Sequence, residues 1–155
     1  MLKRWEDLPD FIRIPEVKPY YDILNKKRYS LLLKRVFDFI LSFVLLFVFA
    51  IPMVVIAVSI KLDSPGAVFF RQERVTTYGR HFYIHKFRTM VNHADKTGTD
   101  VTIENDSRIT DIGRKLRYLR LDELPQLFDV LEGTMSFVGT RPEIVKYVEM
   151  YKPEY

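Results

Sequence analysis

The chain has 155 residues, a formal net charge of +4 at pH 7 and no cysteine. This length allows one small domain and little more. The absence of cysteine excludes disulfides and thiolate metal sites, and it fits a reducing compartment. The basic charge suits anionic lipid surfaces, phosphate-bearing ligands or nucleic acid.

Residues 1–33 form an N-terminal arm that is rich in aromatic and apolar side chains. Pro9, Pro15 and Pro19 prevent one long helix over this arm. Trp and Tyr side chains favour the headgroup region of a bilayer. The arm is therefore predicted to lie at the membrane interface, with packing on the globular part as the alternative.

Residues 34–62 contain an apolar run with no charged residue between Phe39 and Ile60. A helix over this run would be about 33 Å long, enough to cross a hydrocarbon core of roughly 30 Å. Pro52 lies in its middle, where a helix loses a hydrogen bond and bends. Lys and Arg on both flanks favour keeping both ends on the cytoplasmic side. We predict a re-entrant membrane helix; a straight transmembrane helix and, less well supported, a buried helix of a soluble protein are the alternatives.

The remainder, residues 63–155, is predicted to be a small α+β domain with a β-hairpin and several short helices. A turn signal at 63–66 precedes two extended runs at 68–70 and 81–87, which predict a hairpin that turns around 76–79. Residues 95–107 indicate a loop, and 136–138 a short extended segment. Apolar spacing predicts helices at 90–94, around Ile112, Leu116 and Leu119, from Leu124 to an end at Gly133, and from Pro142 onward.

The sharpest local feature is Leu121-Asp122-Glu123-Leu124-Pro125-Gln126. Its two adjacent carboxylates are predicted to lie at the start of a helix. A helix N-terminus favours negative charge, so at least one of the two carboxylates should stay ionised near neutral pH. Neighbours on a helix point about 100° apart, so they cannot face each other like the paired carboxylates of a glycosidase. One could attack a substrate while the other holds a metal. The alternative is that acidic residues simply favour a helix start.

Basic residues are concentrated around this carboxylate pair. Guanidinium groups bind phosphate oxygens in a planar, bidentate manner, so the cluster predicts a phosphate site, with a solvated basic face as the alternative. The residues are Lys86, Arg88, Arg114, Arg117, Arg120 and Arg141. His81 and His85 share a strand face but lack a third ligand at metal spacing, so we interpret them as surface or packing residues.

Six short motifs occur in an order and at separations that together are highly specific. They are Lys61-Leu62-Asp63-Ser64-Pro65-Gly66, Phe69-Phe70-Arg71-Gln72, Lys86-Phe87-Arg88-Thr89-Met90, Leu121-Asp122-Glu123-Leu124-Pro125-Gln126-Leu127, Met135-Ser136-Phe137-Val138-Gly139 and Arg141-Pro142-Glu143. From residue 34 to the end, the chain resembles the bacterial sugar transferase family, the monotopic polyprenyl-phosphate phosphoglycosyl transferases.

The resemblance implies an enzyme at the cytoplasmic face of the bacterial inner membrane that starts a polysaccharide or glycoconjugate pathway, such as that of exopolysaccharide, capsule or lipopolysaccharide. It would transfer a sugar 1-phosphate from a UDP-sugar to a polyprenyl phosphate such as undecaprenyl phosphate, and release UMP. By motif position, Asp122 would be the nucleophile that forms a covalent aspartyl phosphosugar, and Glu123 would help to hold Mg²⁺. The basic positions that would neutralise the diphosphate correspond to Lys86, Arg88, Arg117 and Arg141.

Three positions depart from the family's pattern. Ile51 stands where the helix-breaking pair usually has serine, which leaves Pro52 as the breaker. Thr76 occupies a hairpin position where glycine is common, and Thr140 replaces the first proline of the usual Gly-Pro-Arg-Pro. Family members usually continue beyond this length, so the chain is expected to be truncated at its C-terminus.

Two other functions compete with this interpretation. A non-catalytic membrane-associated module would use the same arginines to bind anionic lipid. A nucleic-acid-binding protein fits poorly, because the aromatic residues cluster near the apolar run and no recognition motif occurs, so no nucleic-acid partner is expected. Self-association into a homo-oligomer is left open by the sequence.

Overall fold

The computed structural model describes residues 2–92, 94 and 106–151. The elements, in chain order, are helix α1 (Lys18–Lys26), helix α2 (Arg28–Asp63), strand β1 (Phe69–Thr76), strand β2 (Arg80–Phe87), helix α3 (Asp111–Tyr118), helix α4 (Gln126–Glu132) and helix α5 (Val145–Glu149). Short 3-10 turns occur at Trp5–Asp7, Thr77–Gly79 and Leu121–Glu123. The predicted mixture of a hairpin, short helices and one long apolar helix is confirmed.

Helix α2 is 36 residues long, and Pro52 lies inside it without ending it. At 1.5 Å per residue its length is about 54 Å, more than a hydrocarbon core requires. Only 6% of its most apolar window is buried, and the side chains of Phe47 and Ile51 are 82% and 77% exposed. A helix buried in a soluble core is therefore wrong for this segment. So large an exposed apolar surface indicates association with a membrane.

One face of α2 packs on the globular part. Met53 and Ile60 of α2 are buried in one cluster with Phe87 of β2 and Leu116 of α3. Leu121, which directly precedes the carboxylate pair, packs against the same cluster. Burial of such side chains stabilises the fold by about 1.5–3 kcal/mol each. The apolar helix and the turn that carries the two carboxylates therefore share a core.

A polar joint near the N-terminal end of α2 fixes the helix to the domain. The carboxylate of Asp38, which is 3% exposed, accepts a hydrogen bond from Ser136 Oγ at 2.7 Å. Arg35 donates to the backbone carbonyls of Val130 and Leu131 at 2.6 and 2.7 Å. The last carbonyls of a helix lack partners within it, so Arg35 caps α4.

A second polar joint lies at the C-terminal end of α2. Buried Arg88 donates to the backbone carbonyls of Ser64 and Pro65 at 2.6 and 2.8 Å, and to that of Ile60 at 3.4 Å. Gly66 follows with a φ of 123°, and a Cβ there would lie 2.1 Å from Arg88 Nη1. The predicted turn therefore requires glycine for its backbone and for the approach of the guanidinium.

Strands β1 and β2 form the predicted antiparallel hairpin, with Phe69 opposite Phe87 and Thr76 opposite Arg80. The first strand is longer than predicted, because its second half is polar and carries no apolar alternation. Thr76 has an extended φ of −110°, so this position accepts a β-branched residue in place of glycine. The positive φ values of the turn fall later, at residues 78 and 79.

The helix predicted from residue 90 and the predicted start of the last helix are wrong. Residues 90–92 are not helical, because Met90 pairs with Ile109 in an isolated antiparallel bridge. The last helix begins at Val145 and not at Pro142, because Glu143 forms a bridge to β1. Residues 136–138, predicted to be extended, have no strand partner among the described residues, and 137 and 138 lie in a bend. The predicted loop at 95–107 lies almost entirely outside the part of the chain that the structure describes.

The N-terminal arm contacts the tip of the hairpin. The backbone N–H of Lys3 donates to the hydroxyl of Tyr78 at 3.2 Å, and the hydroxyl of Tyr21 donates to the carbonyl of Lys3 at 3.1 Å. Tyr20, on the outer side of α1, is 70% exposed. The arm therefore packs on the globular part, and its contact with a membrane interface stays a prediction.

Candidate active site

Asp122 and Glu123 lie on the 3-10 turn Leu121–Glu123, before α4 begins at Gln126. They precede this helix and do not occupy its first turn, which corrects the predicted helix start. Arg120, the residue before the turn, has a φ of 57° in the left-handed region. A residue with a side chain adopts that conformation at a cost of about 1 kcal/mol or more, and such strain clusters at functional sites.

Glu123 is held by two cations from different parts of the chain. Lys86 Nζ of β2 lies 3.1 Å from Glu123 Oε1, and Arg141 Nη2 lies 3.0 Å from the same oxygen. Burial opposes ionisation of this carboxyl, but the hydrogen bonds and charges of Lys86 and Arg141 outweigh it and lower its pKa. Glu123 is therefore an ionised, fixed carboxylate.

Asp122 is in a different electrostatic environment from its neighbour. Burial raises the pKa of its carboxyl, and the charge of Glu123 adds to this, against opposing effects of Lys86 and Arg117. Its Oδ1 is buried, and within the described part of the chain it has no hydrogen-bond partner. A buried carboxylate oxygen without a partner is unusual in a folded protein. Two adjacent carboxyls with pKa values shifted in opposite directions are suited to different roles.

The two carboxylates line a cavity of about 910 Å³, which we name the charged cavity. Cations dominate its polar lining, so it is suited to a ligand with several negative charges. The basic residues that line it are Arg71, Arg74, Lys86, Arg88, Arg108, Arg117, Arg120 and Arg141.

All six sequence-predicted site residues line the charged cavity, but they do different things there. Lys86 and Arg141 contact Glu123, as described. Arg117 Nε donates to Thr89 Oγ1 at 2.8 Å, and burial lowers the pKa of this guanidinium. Arg88 binds the carbonyls at the end of α2, so its contact with a substrate stays a prediction.

The remaining basic residues of the sequence cluster divide between the cavity and the surface. Arg114 is exposed, pairs with Asp111 at 3.5 Å and does not line the cavity, which fits a solvated basic face. Arg120 does line it. The sequence interpretation did not assign Arg71 and Arg74 of β1 to the site, although Arg71 belongs to the motif Phe69-Phe70-Arg71-Gln72 and Arg74 follows it by two residues.

The two histidines of β2 have the packing and surface roles that were predicted. His81 Nδ1 lies 2.9 Å from Glu73 Oε1 on an exposed face of the hairpin. His85 packs against α4, where its ring contacts buried Asp129. Asp129 was not predicted, because nothing in a short helical segment distinguishes a buried aspartate from an exposed one.

Mg²⁺, which the resemblance implies, fits these donors only together with a phosphate ligand. Among the described residues, no group of three or more His, Cys, Asp or Glu side chains could hold a metal ion. Mg²⁺ is commonly bound by one or two carboxylates together with substrate phosphates and water. Asp122 and Glu123 supply that number of carboxylates, and both ion pairs of Glu123 use the same oxygen, Oε1.

Comparison with known proteins connects this chain to one family. The chain matches the family model described as bacterial sugar transferase over residues 29–155. It is 41% identical over 122 residues to UDP-N-acetylgalactosamine-undecaprenyl-phosphate N-acetylgalactosaminephosphotransferase of Aeromonas hydrophila, covering 79% of this chain and 29% of that protein. It is 44% identical over 122 residues to UDP-glucose:undecaprenyl-phosphate glucose-1-phosphate transferase of Escherichia coli K12, covering 78% of this chain and 26% of that one.

A shorter relative matches over most of its own length. It is a Bacillus subtilis 168 protein named provisionally as an undecaprenyl-phosphate N-acetylgalactosaminyl 1-phosphate transferase, 38% identical over 135 residues, which are 86% of this chain and 75% of that protein. The chain thus spans less than a third of the two relatives named first, and three quarters of this one. The matched region contains α2, the hairpin and the carboxylate pair. The chain belongs to the bacterial sugar transferase family.

Proposed function

We propose that this chain transfers a sugar 1-phosphate from a UDP-sugar to a polyprenyl phosphate, such as undecaprenyl phosphate, in the first membrane step of polysaccharide or glycoconjugate synthesis. The observation that carries the proposal is the Asp122–Glu123 pair inside a cavity lined by cations. The names of the relatives, which specify a UDP-sugar and undecaprenyl phosphate, supply the two substrates. The exposed apolar surface of α2 explains how a soluble donor and a lipid acceptor meet at one site.

Asp122 acts as the nucleophile in this proposal. An oxygen of its carboxylate forms a bond to the sugar-bearing phosphorus of the donor while the bond from that phosphorus to UMP breaks. The acceptor phosphate then forms a bond to the same phosphorus and releases the free carboxylate of Asp122. This divides one transfer into two easier steps. The pKa raised by burial supports the role, because a carboxylate that is poorly stabilised by its surroundings is more reactive.

Three cations of the cavity, Lys86, Arg117 and Arg141, hold the donor and neutralise its charge. Phosphoryl transfer depends mainly on positioning and on electrostatic stabilisation. Arg117 and Lys86 lie near enough to Asp122 to affect its pKa, so they are suited to bind the phosphate under attack. Mg²⁺ would be held by Glu123 together with the donor phosphates, and it would supply further neutralisation of the diphosphate.

The chain is proposed to enter and leave the membrane by one face, at the cytoplasmic side of the inner membrane. Both polar joints of α2, around Asp38 and around Ser64, contact the same small domain. A helix that crossed the bilayer would place these two ends on opposite sides. Basic residues on both flanks favour the cytoplasmic side as well.

The proposed mechanism is tested by incubating the purified protein with a UDP-sugar and Mg²⁺, without acceptor. A mass increase of one phosphosugar on Asp122, with release of UMP, is expected. Asp122→Asn should abolish both, and Asp111→Asn, at a carboxylate that is 85% exposed, is the matched control. Release of UMP at the normal rate by the Asp122 variant would exclude it as the nucleophile. If the unmodified protein binds anionic vesicles without any adduct, it is instead a lipid-binding module.

The membrane topology is tested with single cysteines at Lys34 and Lys61, since the chain has none of its own. Both should react with an impermeant thiol reagent applied from the cytoplasmic side of inverted vesicles. Labelling from opposite sides would instead establish a straight transmembrane helix.

A further inference from the structure

A row of three side chains links α4 to β1 through a residue of β2. Asp129 of α4 has no exposed surface. Its Oδ2 accepts the backbone N–H of His85 at 2.9 Å, and its Oδ1 lies 2.7 Å from His85 Nδ1. The other ring nitrogen, Nε2, lies 2.9 Å from Arg71 Nη2. The three residues belong to different elements, so the fold brings them together.

The hydrogen-bond partners of the imidazole in this row fit one of its tautomers. An ionised carboxylate can only accept, so the proton lies on His85 Nδ1. A guanidinium can only donate, so Nε2 offers its lone pair to Arg71. Both contacts fit the same tautomer of the ring, with the proton on Nδ1. The orientation of Arg71 is thus determined by a carboxylate that it does not touch.

Arg71 carries a positive charge that no carboxylate in the described part of the chain pairs with directly. Lys86 and Arg141 are both paired with Glu123, whereas no ion pair of Arg71 occurs within the described residues. Arg71 also lines the charged cavity. A guanidinium that is already held in place by the ring of His85 loses little conformational freedom on binding an anion. It is therefore suited to bind a phosphate.

The charged cavity, which Arg71 lines, shares two lining residues with an apolar cavity. The apolar cavity has a volume of about 510 Å³ and lies between α2 and the domain. Phe69 and Phe87, stacked with ring centroids 5.5 Å apart, line both cavities. Phe128, whose ring lies beside that of His85, also lines the apolar cavity. An anionic head and an apolar chain joined in one molecule would fill both spaces.

We propose that Arg71, positioned by His85 and Asp129, binds the phosphate of a prenyl monophosphate whose hydrocarbon chain occupies the apolar cavity. This inference rests on the proposed function, because such a molecule is the acceptor class. A nucleotide sugar has no hydrocarbon chain to fill the apolar cavity. A phospholipid has two hydrocarbon chains and a substituted phosphate, so it matches one apolar cavity beside the charged cavity less well.

Direct binding tests Arg71 without any turnover. The full chain in lipid nanodiscs is titrated with farnesyl monophosphate, and farnesol serves as the ligand without phosphate. Arg71→Met should weaken farnesyl monophosphate binding about tenfold or more, since a lost charge-assisted hydrogen bond is worth about 1.5–3 kcal/mol, and leave the weaker farnesol binding unchanged. Arg114→Met, an exposed arginine outside both cavities, should bind like the unmodified protein. Equal binding by the Arg71 variant would overturn the proposal.

Two substitutions of His85 separate positioning from packing. His85→Asn keeps a donor near the Nδ1 position for Asp129 but removes the acceptor for Arg71. His85→Gln places a carbonyl near the Nε2 position for Arg71 but removes the donor to Asp129. We expect the Asn variant to bind farnesyl monophosphate more weakly and to keep its unfolding temperature. The Gln variant should keep its affinity for farnesyl monophosphate and unfold at a lower temperature. Normal affinity in the Asn variant would show that His85 has only a structural role.

The remaining outcomes distinguish this inference from the proposed function. Arg71→Met should raise the KM for the prenyl phosphate and leave the rate of phosphosugar adduct formation from the donor unchanged. A slower adduct step would assign Arg71 to the donor and refute the acceptor site. An unmodified protein that binds farnesyl monophosphate but never forms the adduct refutes the proposed function alone. Equally strong binding of phosphatidylglycerol would make this a general anionic-lipid site and overturn the assignment.

Discussion

Replacing Arg88 with methionine tests what holds the end of α2 on the domain. The guanidinium makes hydrogen bonds of 2.6 and 2.8 Å to the carbonyls of Ser64 and Pro65, and one of 2.9 Å to Ser64 Oγ. At about 1.5 kcal/mol each for a charged donor, these three bonds total about 4–5 kcal/mol. Ser64 and Pro65 are partly or fully exposed, so in the variant water can replace some of the lost hydrogen bonds. We therefore expect a loss of about 3 kcal/mol in the free energy of unfolding.

The assay is thermal unfolding of the purified protein in detergent, followed by intrinsic fluorescence. For a chain of this size, about 3 kcal/mol corresponds to a decrease in Tm of about 6–12 °C. Arg88→Lys should recover less than half of the loss, because one ammonium cannot reproduce the planar fork. Arg114→Met, at an exposed ion pair, should change Tm by about 2 °C or less. An unchanged Tm for Arg88→Met together with a raised KM for the donor would refute the structural role and support a substrate contact.

The remaining predictions concern the carboxylate pair, one glycine and one helix cap. Burial raises the pKa of Asp122, so its charge destabilises the fold above about pH 4, and Asp122→Asn should unfold at an equal or higher temperature at pH 7. Burial opposes ionisation of Glu123, but its two cations outweigh burial and lower its pKa. Glu123→Gln should therefore unfold at a lower temperature than the unmodified protein at pH 7. This difference in unfolding temperature should shrink as the pH falls through the lowered pKa. Gly113→Ala should destabilise the fold by about 3 kcal/mol or more, because the added Cβ would lie 2.0 Å from the backbone oxygen of Thr89. Arg35→Met should cost about 2–3 kcal/mol, since it removes two hydrogen bonds at the C-terminus of α4. All four changes are measured by unfolding in detergent, the first two also as a function of pH.

Each of these predictions has a control and a contradicting result. Equal pH dependence of stability in the two carboxylate variants would refute the opposite pKa shifts. Gly139→Ala, where a Cβ would meet nothing within 4 Å, is the control for Gly113→Ala and should be nearly neutral. Arg28, whose side chain makes an exposed contact to Asn25, is the control for Arg35, and equal losses at both would exclude the capping role.

Local sequence patterns determined the elements of this protein. The uncharged run from Phe39 to Ile60 predicted the apolar helix, because a long, predominantly apolar segment without charged side chains is stable as a helix in an apolar environment. The turn signal at 63–66 and the extended runs after it predicted the hairpin. The adjacent carboxylates and the surrounding arginines predicted a phosphate-binding site, because the charges of these side chains do not depend on how the chain folds.

Only the tertiary structure decided which groups meet. Arg88 binds carbonyls 23 and 24 residues earlier in the chain, and His85 meets Asp129 across 44 residues. The strand pairing of Glu143, which displaces the last helix, is likewise a contact between distant segments. Sequence periodicity reports whether a residue is buried, and it carries no information about its partner. The partners of an arginine or a buried aspartate are chosen by packing, because the free energy of burying such a group depends on the donors and acceptors that the fold places around it.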